Sequence, residues 1–105
     1  MLDLTKMEEI LMITVLDLAE DAYGVKIRRH VAKLIQKDVT YGNMYSTLNQ
    51  LVRKKYLIKT VVDPTPERRG RPKTYYTLTT LGRKMLKAAR EMNQSLWARV
   101  PEIVL

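Results

Sequence analysis

Apolar residues recur at helical spacing in four stretches of this chain, with a short alternating segment between the third and the fourth. In the first stretch, about Asp3 to Glu20, Met7, Ile10, Leu11, Thr14 and Leu18 share one helical face, while Met12, Val15, Leu16 and Ala19 share another. A helix that is apolar all round in so small a domain needs two partners. One face is expected on the domain's own core and the other on a second subunit. Asp21-Ala22-Tyr23-Gly24 breaks the pattern, and a second helix is predicted over Tyr23 to Gln36, with Tyr23, Ile27, Val31, Leu34 and Ile35 as its buried stripe. Its other face carries Lys26, Arg29, Lys33 and Lys37. After the turn Lys37-Asp38-Val39-Thr40, with Thr40 as N-cap, a third helix is predicted over Tyr41 to Lys55. Met44, Leu48, Leu51 and Val52 form its core side.

The alternating segment reads as a hairpin. Leu57 to Asp63 and Lys73 to Leu78 are the strands, and Pro64 to Pro72 the loop. Thr79 then caps a fourth helix running to about Val100, with Leu81, Met85, Ala88, Ala89, Met92, Leu96 and Val100 at steps of mostly three and four, the spacing of a helix–helix seam. Pro101 ends or kinks it. The expected fold is mainly α with a small β-hairpin wing: a winged helix-turn-helix over residues 1–79, including the N-terminal helix, and a C-terminal dimerisation helix over residues 80–105, in one structural unit.

Charge turns this outline toward function. The 105 residues carry a formal net charge of +8. Asp3, Glu8, Glu9, Asp17, Glu20 and Asp21 crowd the first fifth of the chain, and a basic body follows. Such a division gives one face to a polyanion and another to something else. There is no Cys and one His, His30, which reads as a surface residue, so thiol chemistry, disulfides and Cys- or His-built metal sites are not expected, nor is any cofactor. The N-terminus lacks the basic start of a signal peptide, and no apolar run is long enough to span a bilayer. A cytoplasmic location is expected. No P-loop, nucleophile elbow or dinucleotide motif is present, so an enzyme has no positive support.

Two segments carry candidate chemistry. The outer side of the third helix holds Asn43, Ser46, Gln50 and Arg53, flanked by Gly42, Asn49 and Lys54, without an acid among them. Asn or Gln can bond adenine bidentately and Arg guanine, which suits a helix entering the major groove. Thr40, Tyr41 and Tyr45 lie where the helix start would meet phosphates, and Gly42 permits a close approach of the backbone. In the hairpin loop, Arg68, Arg69, Arg71 and Lys73 surround Gly70 and Pro72, a cationic tip suited to phosphates or the minor groove. Met12, Leu16, Met85, Ala89, Met92 and Leu96 are the expected dimer contacts.

The segment Thr40 to Leu51, TYGNMYSTLNQL, fits T-x-G-x-(L or M)-Y-x-x-L-x-x-L. Lys55 to Lys59 reads K-Y-L-I-K, and Arg69 to Gly82 reads R-G-R-P-K-T-Y-Y-T-L-T-x-L-G. Together with Tyr23-Gly24, these resemble PadR-family transcriptional regulators over about Met7 to Trp97. One departure is Ser46, where many relatives carry Pro, so no operator sequence carries over. The resemblance implies a homodimer on double-stranded DNA, acting as a repressor on a palindromic operator. It also implies an effector site for planar aromatic or amphipathic compounds at the dimer interface, with Trp97 as the counterpart of the family's pore Trp, next to Met92 and Leu96. The competing reading is a winged-helix module that binds RNA or a protein partner in a larger assembly. The acid-free helix face and the seam on the last helix favour the first.

Overall fold

The computed structural model describes residues 4–64, 70 and 72–102. Four helices and a two-stranded hairpin follow one another: α1 Lys6–Leu18, a 3-10 turn Ala19–Asp21, α2 Gly24–Ile35, α3 Tyr41–Arg53, β1 Leu57–Val62, β2 Lys73–Leu78 and α4 Thr80–Trp97. The order and kind of the four helices and two strands match the sequence pattern, with ends that differ by a few residues, and the 3-10 turn is an addition to it.

Each of three helix starts has a threonine cap. Thr5 Oγ1 accepts the Glu8 N–H at 3.1 Å, and Glu8 Oε1 accepts the Thr5 N–H at 2.8 Å, so two otherwise orphaned donors are satisfied reciprocally. Thr40 accepts from Asn43 N at 3.1 Å, and Thr79 from Gly82 N at 2.9 Å. α2 stops where Gln36 turns left-handed at φ 54°. The chain leaves α3 through a second such residue, Lys55 at φ 66°.

β1 and β2 pair antiparallel from Leu57↔Leu78 to Val62↔Lys73. On the other edge of β2, Tyr23 bridges Tyr75, and Tyr76 N donates to Ala22 O at 2.9 Å. The link before α2 thus acts as a one-residue third strand and ties the hairpin to the start of the helix-turn-helix. Leu11, Met12, Val15, Ile27, Val31, Met44, Leu48, Leu51 and Leu57 form the core where α1, α2, α3 and the hairpin base meet. Each fully buried side chain of this size contributes about 1.5–3 kcal/mol.

Two expectations about apolar faces need correction. Met12 is 0% exposed, so it belongs to the chain's own core and presents nothing to a second subunit. The reason is geometric: α1 packs against α2, α3, β2 and α4 at once, and so wide a surround buries Leu11, Met12, Thr14 and Val15 together. Ile13 and Leu16 remain exposed. Ala89 is likewise buried within the chain. On α2 the buried stripe is narrower than its sequence pattern, because Leu34, at 51% exposure, lies past the edge of the core, and Tyr23 and Ile35 are half-buried.

Along the far half of α4 one apolar face lies open. Met92, Leu96 and Trp97 are 50%, 54% and 63% exposed. Among the described residues, no helix is long and apolar enough to cross a membrane.

Candidate nucleic-acid interface

α3 presents its outer side to solvent along its whole length. Thr40, Tyr41, Gly42, Asn43, Tyr45, Ser46, Gln50 and Arg53 are all exposed, while Met44, Leu48 and Leu51 are buried beneath them. The helical period that sends the three apolar residues inward sends these polar ones outward. Around Gly42 none of the described residues lies within 4 Å of where a Cβ would stand, so none of them requires glycine there.

Aromatic rings organise the start of α3. Tyr41 and Tyr45, one helical turn apart, stack with centroids 6.0 Å apart and planes at 18°. The Arg28 guanidinium lies 4.8 Å from the Tyr41 ring centroid, and its Nε donates to Val39 O at 2.7 Å, so α2 holds both the turn and the first residue of α3. The Tyr45 hydroxyl end rests on Gly24, in the first turn of α2, in the space that a Cβ would fill. Next to it, Tyr23 meets Tyr75 edge-on at 5.4 Å, and Lys73 Nζ sits 4.2 Å over the Tyr23 ring. Lys26 approaches the same ring at 5.9 Å and pairs with Asp21 at 3.4 Å. Burial pushes the Tyr76 phenol pKa above its ordinary value, and neighbouring Tyr45 adds to the rise.

A continuous run of contacts therefore joins Arg28, Tyr41, Tyr45, Gly24, Tyr23 and Lys73. It brings cations from α2 and β2 beside the start of α3. Of the expected hairpin cations, Lys73 takes part in this run, whereas Arg68, Arg69 and Arg71 lie outside the described residues. Sequence reasoning missed Arg28 and Gly24 as parts of this arrangement. The available signal was Gly24 itself, a glycine opening a helix that already has a break before it.

Lys54, which sequence reasoning placed beside the DNA face, turns toward α1 and pairs with Glu8 at 2.9 Å. The residues expected to hold an effector, Met92, Leu96 and Trp97, are exposed along the end of α4. A separate open trough of about 640 Å³ runs between α1 and α4, with Ile13, Leu16, Leu78 and Leu86 among its walls, and Trp97 does not line it. Of the expected dimer contacts, Leu16, Met92 and Leu96 are exposed and Met85 is half-buried.

Solved structures share this architecture. RosR of H. salinarum superposes with a TM-score of 0.71 at 24% identity, covering 95% of this chain and 83% of that one. A PadR-like transcription factor from Bacteroides fragilis does so with a TM-score of 0.71 at 26% identity, covering 90% and 87%. A MepR variant from S. aureus, bound to an oligodeoxyribonucleotide, gives a TM-score of 0.56 at 24% identity, covering 96% and 69%. No curated protein matches the sequence. The model of the transcriptional regulator PadR-like family matches residues 12–88. With well over half of its length inside that match, the chain belongs to the PadR-like family of transcriptional regulators.

Proposed function

We propose that this protein is a sequence-specific repressor that binds a palindromic operator as a homodimer in the cytoplasm. Membership of a family of transcriptional regulators sets enzymes aside. The observation that carries the reading is the outer side of α3, exposed from Thr40 to Arg53 and free of acids. In this reading Asn43, Ser46 and Gln50 read base edges in the major groove. Thr40, Tyr41, Gly42, Tyr45 and Arg53 meet the adjoining backbone, and Arg68, Arg69, Arg71 and Lys73 follow the neighbouring phosphates or minor groove. A protein of the same fold, MepR, is seen on an oligodeoxyribonucleotide, which supports a DNA role.

The dimer reading rests on apolar surface that the described residues do not cover: Ile13 and Leu16 on α1, and Met92, Leu96 and Trp97 on α4. Joining two copies through α4 would hold two recognition helices at one separation, as an inverted repeat requires. Trp97, with Met92 and Leu96, would then stand near its mate and could stack a planar aromatic effector that releases DNA. Selection of bound duplexes from random DNA tests the main reading. Recovery of an inverted repeat is the expected result. Recovery of no duplex motif, with binding to RNA or to a protein partner instead, would overturn it.

A further inference from the structure

Both exits of the recognition helix are held, but by different chemistry. Its start is held by rings and by Arg28, and its end by an ion pair in which the carboxylate is buried and the ammonium half-buried. Lys54 is the C-cap of α3, and its Nζ lies 2.9 Å from Oε2 of Glu8, which is 1% exposed. The other oxygen of Glu8 accepts the Thr5 N–H that opens α1. The next residue, Glu9, accepts the Asn93 side-chain N–H from α4 at 3.0 Å. A third side closes the figure. Thr79, which caps α4, donates its hydroxyl to Lys55 O at 2.7 Å, its N–H bonds Tyr56 O at 3.0 Å, and Gly82 sits directly on that same carbonyl. α1, the end of α3 and α4 are thus joined pairwise by polar links.

We infer that this three-way joint, with Glu8–Lys54 as its decisive strut, fixes the angle of the recognition helix to α4 and so sets the half-site spacing that the dimer accepts. The inference rests on the proposed homodimeric DNA-binding role. Such a part-buried ion pair adds little net stability, because the attraction between the charges roughly offsets the desolvation of the carboxylate. An apolar pair of similar volume could fill the same space. What the carboxylate supplies is direction: one oxygen is committed to the N-cap of α1 and the other to the C-cap of α3. The recognition helix, 13 residues and roughly 20 Å long, is then held at both ends. Asn93, which follows the exposed Met92 and precedes the exposed Leu96 and Trp97, carries the α4 side of the joint close to the proposed dimer surface.

The test uses the best selected inverted repeat, the same repeat with its spacer changed by one base pair either way, and a duplex with one half-site. Wild type and the variants Lys54→Met, Lys54→Arg and Asn93→Leu are compared by fluorescence anisotropy, with thermal melts for each. Wild type is expected to lose about tenfold or more in affinity for either altered spacer, the order of one mismatched base pair. In Lys54→Met and Asn93→Leu that loss should shrink to about threefold or less, with half-site affinity held within about twofold. Lys54→Arg, which keeps the charge, should retain the wild-type discrimination. If Lys54→Met melts below the assay temperature, Asn93→Leu, which removes no buried charge partner, decides alone. Discrimination unchanged in the folded variants would overturn the inference and leave the DNA reading standing. So would an equal loss on every duplex, which would make Lys54 a phosphate contact. A wild type indifferent to spacing would overturn the homodimer reading and the inference together.

Discussion

Gly24 and Gly42 open the same helix-turn-helix, yet substitution of the two should have opposite effects on stability. At Gly24 a Cβ would collide with the Tyr45 hydroxyl, so the ring that stacks on Tyr41 would have to shift. Gly24→Ala should therefore cost about 1–3 kcal/mol, the range for overpacking, measured by chemical denaturation. At Gly42 the space is open, so Gly42→Ala should stabilise the protein by up to about 1 kcal/mol through backbone entropy. The same variant should weaken DNA binding, because the room left beside Gly42 would then be reserved for the nucleic acid backbone. An alanine that improves both properties would mean that DNA does not come near. Gln50→Ala belongs to the same scale: it should cost about 1–3 kcal/mol on the best site and little on random duplex. Thr14 offers a further check, for its hydroxyl is buried without a hydrogen-bond partner among the described residues. Thr14→Val removes that hydroxyl at nearly constant volume and should stabilise the fold by about 1–2 kcal/mol.

At the scale of elements, the helix pattern could be read from sequence wherever a single neighbour decided burial. α3 is the clear case: Met44, Leu48 and Leu51 lie inward and Asn43, Ser46, Gln50 and Arg53 outward, as their spacing required, while Tyr41 and Tyr45, which the spacing sets toward or at the edge of the core face, are exposed. α1 was harder because four elements surround it, so a division into two apolar faces assigned Met12 to the wrong side. Leu34 was misjudged for the converse reason, since periodicity says which face a residue shares but not how far the core extends along it. The Tyr45–Gly24 contact and the Glu8–Lys54 pair were not legible at all. They join residues 21 and 46 positions apart, and only the packing of helices across one another brings them together. The hairpin loop was legible from composition, and its contribution can be isolated by salt. Each phosphate neutralised adds about 0.9 to the slope of log affinity against log salt. Replacing Arg68, Arg69 and Arg71 together by Ala should flatten that slope and weaken binding to every sequence alike. An unchanged slope would separate the loop from DNA.

For the whole molecule, the question is what covers the end of α4. Its apolar residues diverge in fate: Ala89 is buried in the chain, Met85 is half-buried, and Met92, Leu96 and Trp97 face solvent. The helix thus begins as part of the domain and ends with an apolar face that the described residues leave uncovered. If a second copy supplies the cover, Leu96→Glu should place a charge in the seam and yield a folded monomer by light scattering, with helix content kept by circular dichroism. Its affinity for the inverted repeat should fall to that for a single half-site, because the two sites no longer act as one ligand. Trp97 is the chain's one Trp, so its emission reports the same event directly: it should shift to shorter wavelength as wild-type protein is concentrated through the association range, and stay fixed in Leu96→Glu. Planar aromatic compounds can then be titrated against both proteins. Saturable quenching in wild type alone, accompanied by loss of DNA, would assign the effector site to the paired Trp97 side chains. Quenching of equal strength in the monomeric variant would show that one exposed indole suffices, and the coupling to DNA release would lose its structural basis, since a ligand shifts an equilibrium only by preferring one of its states.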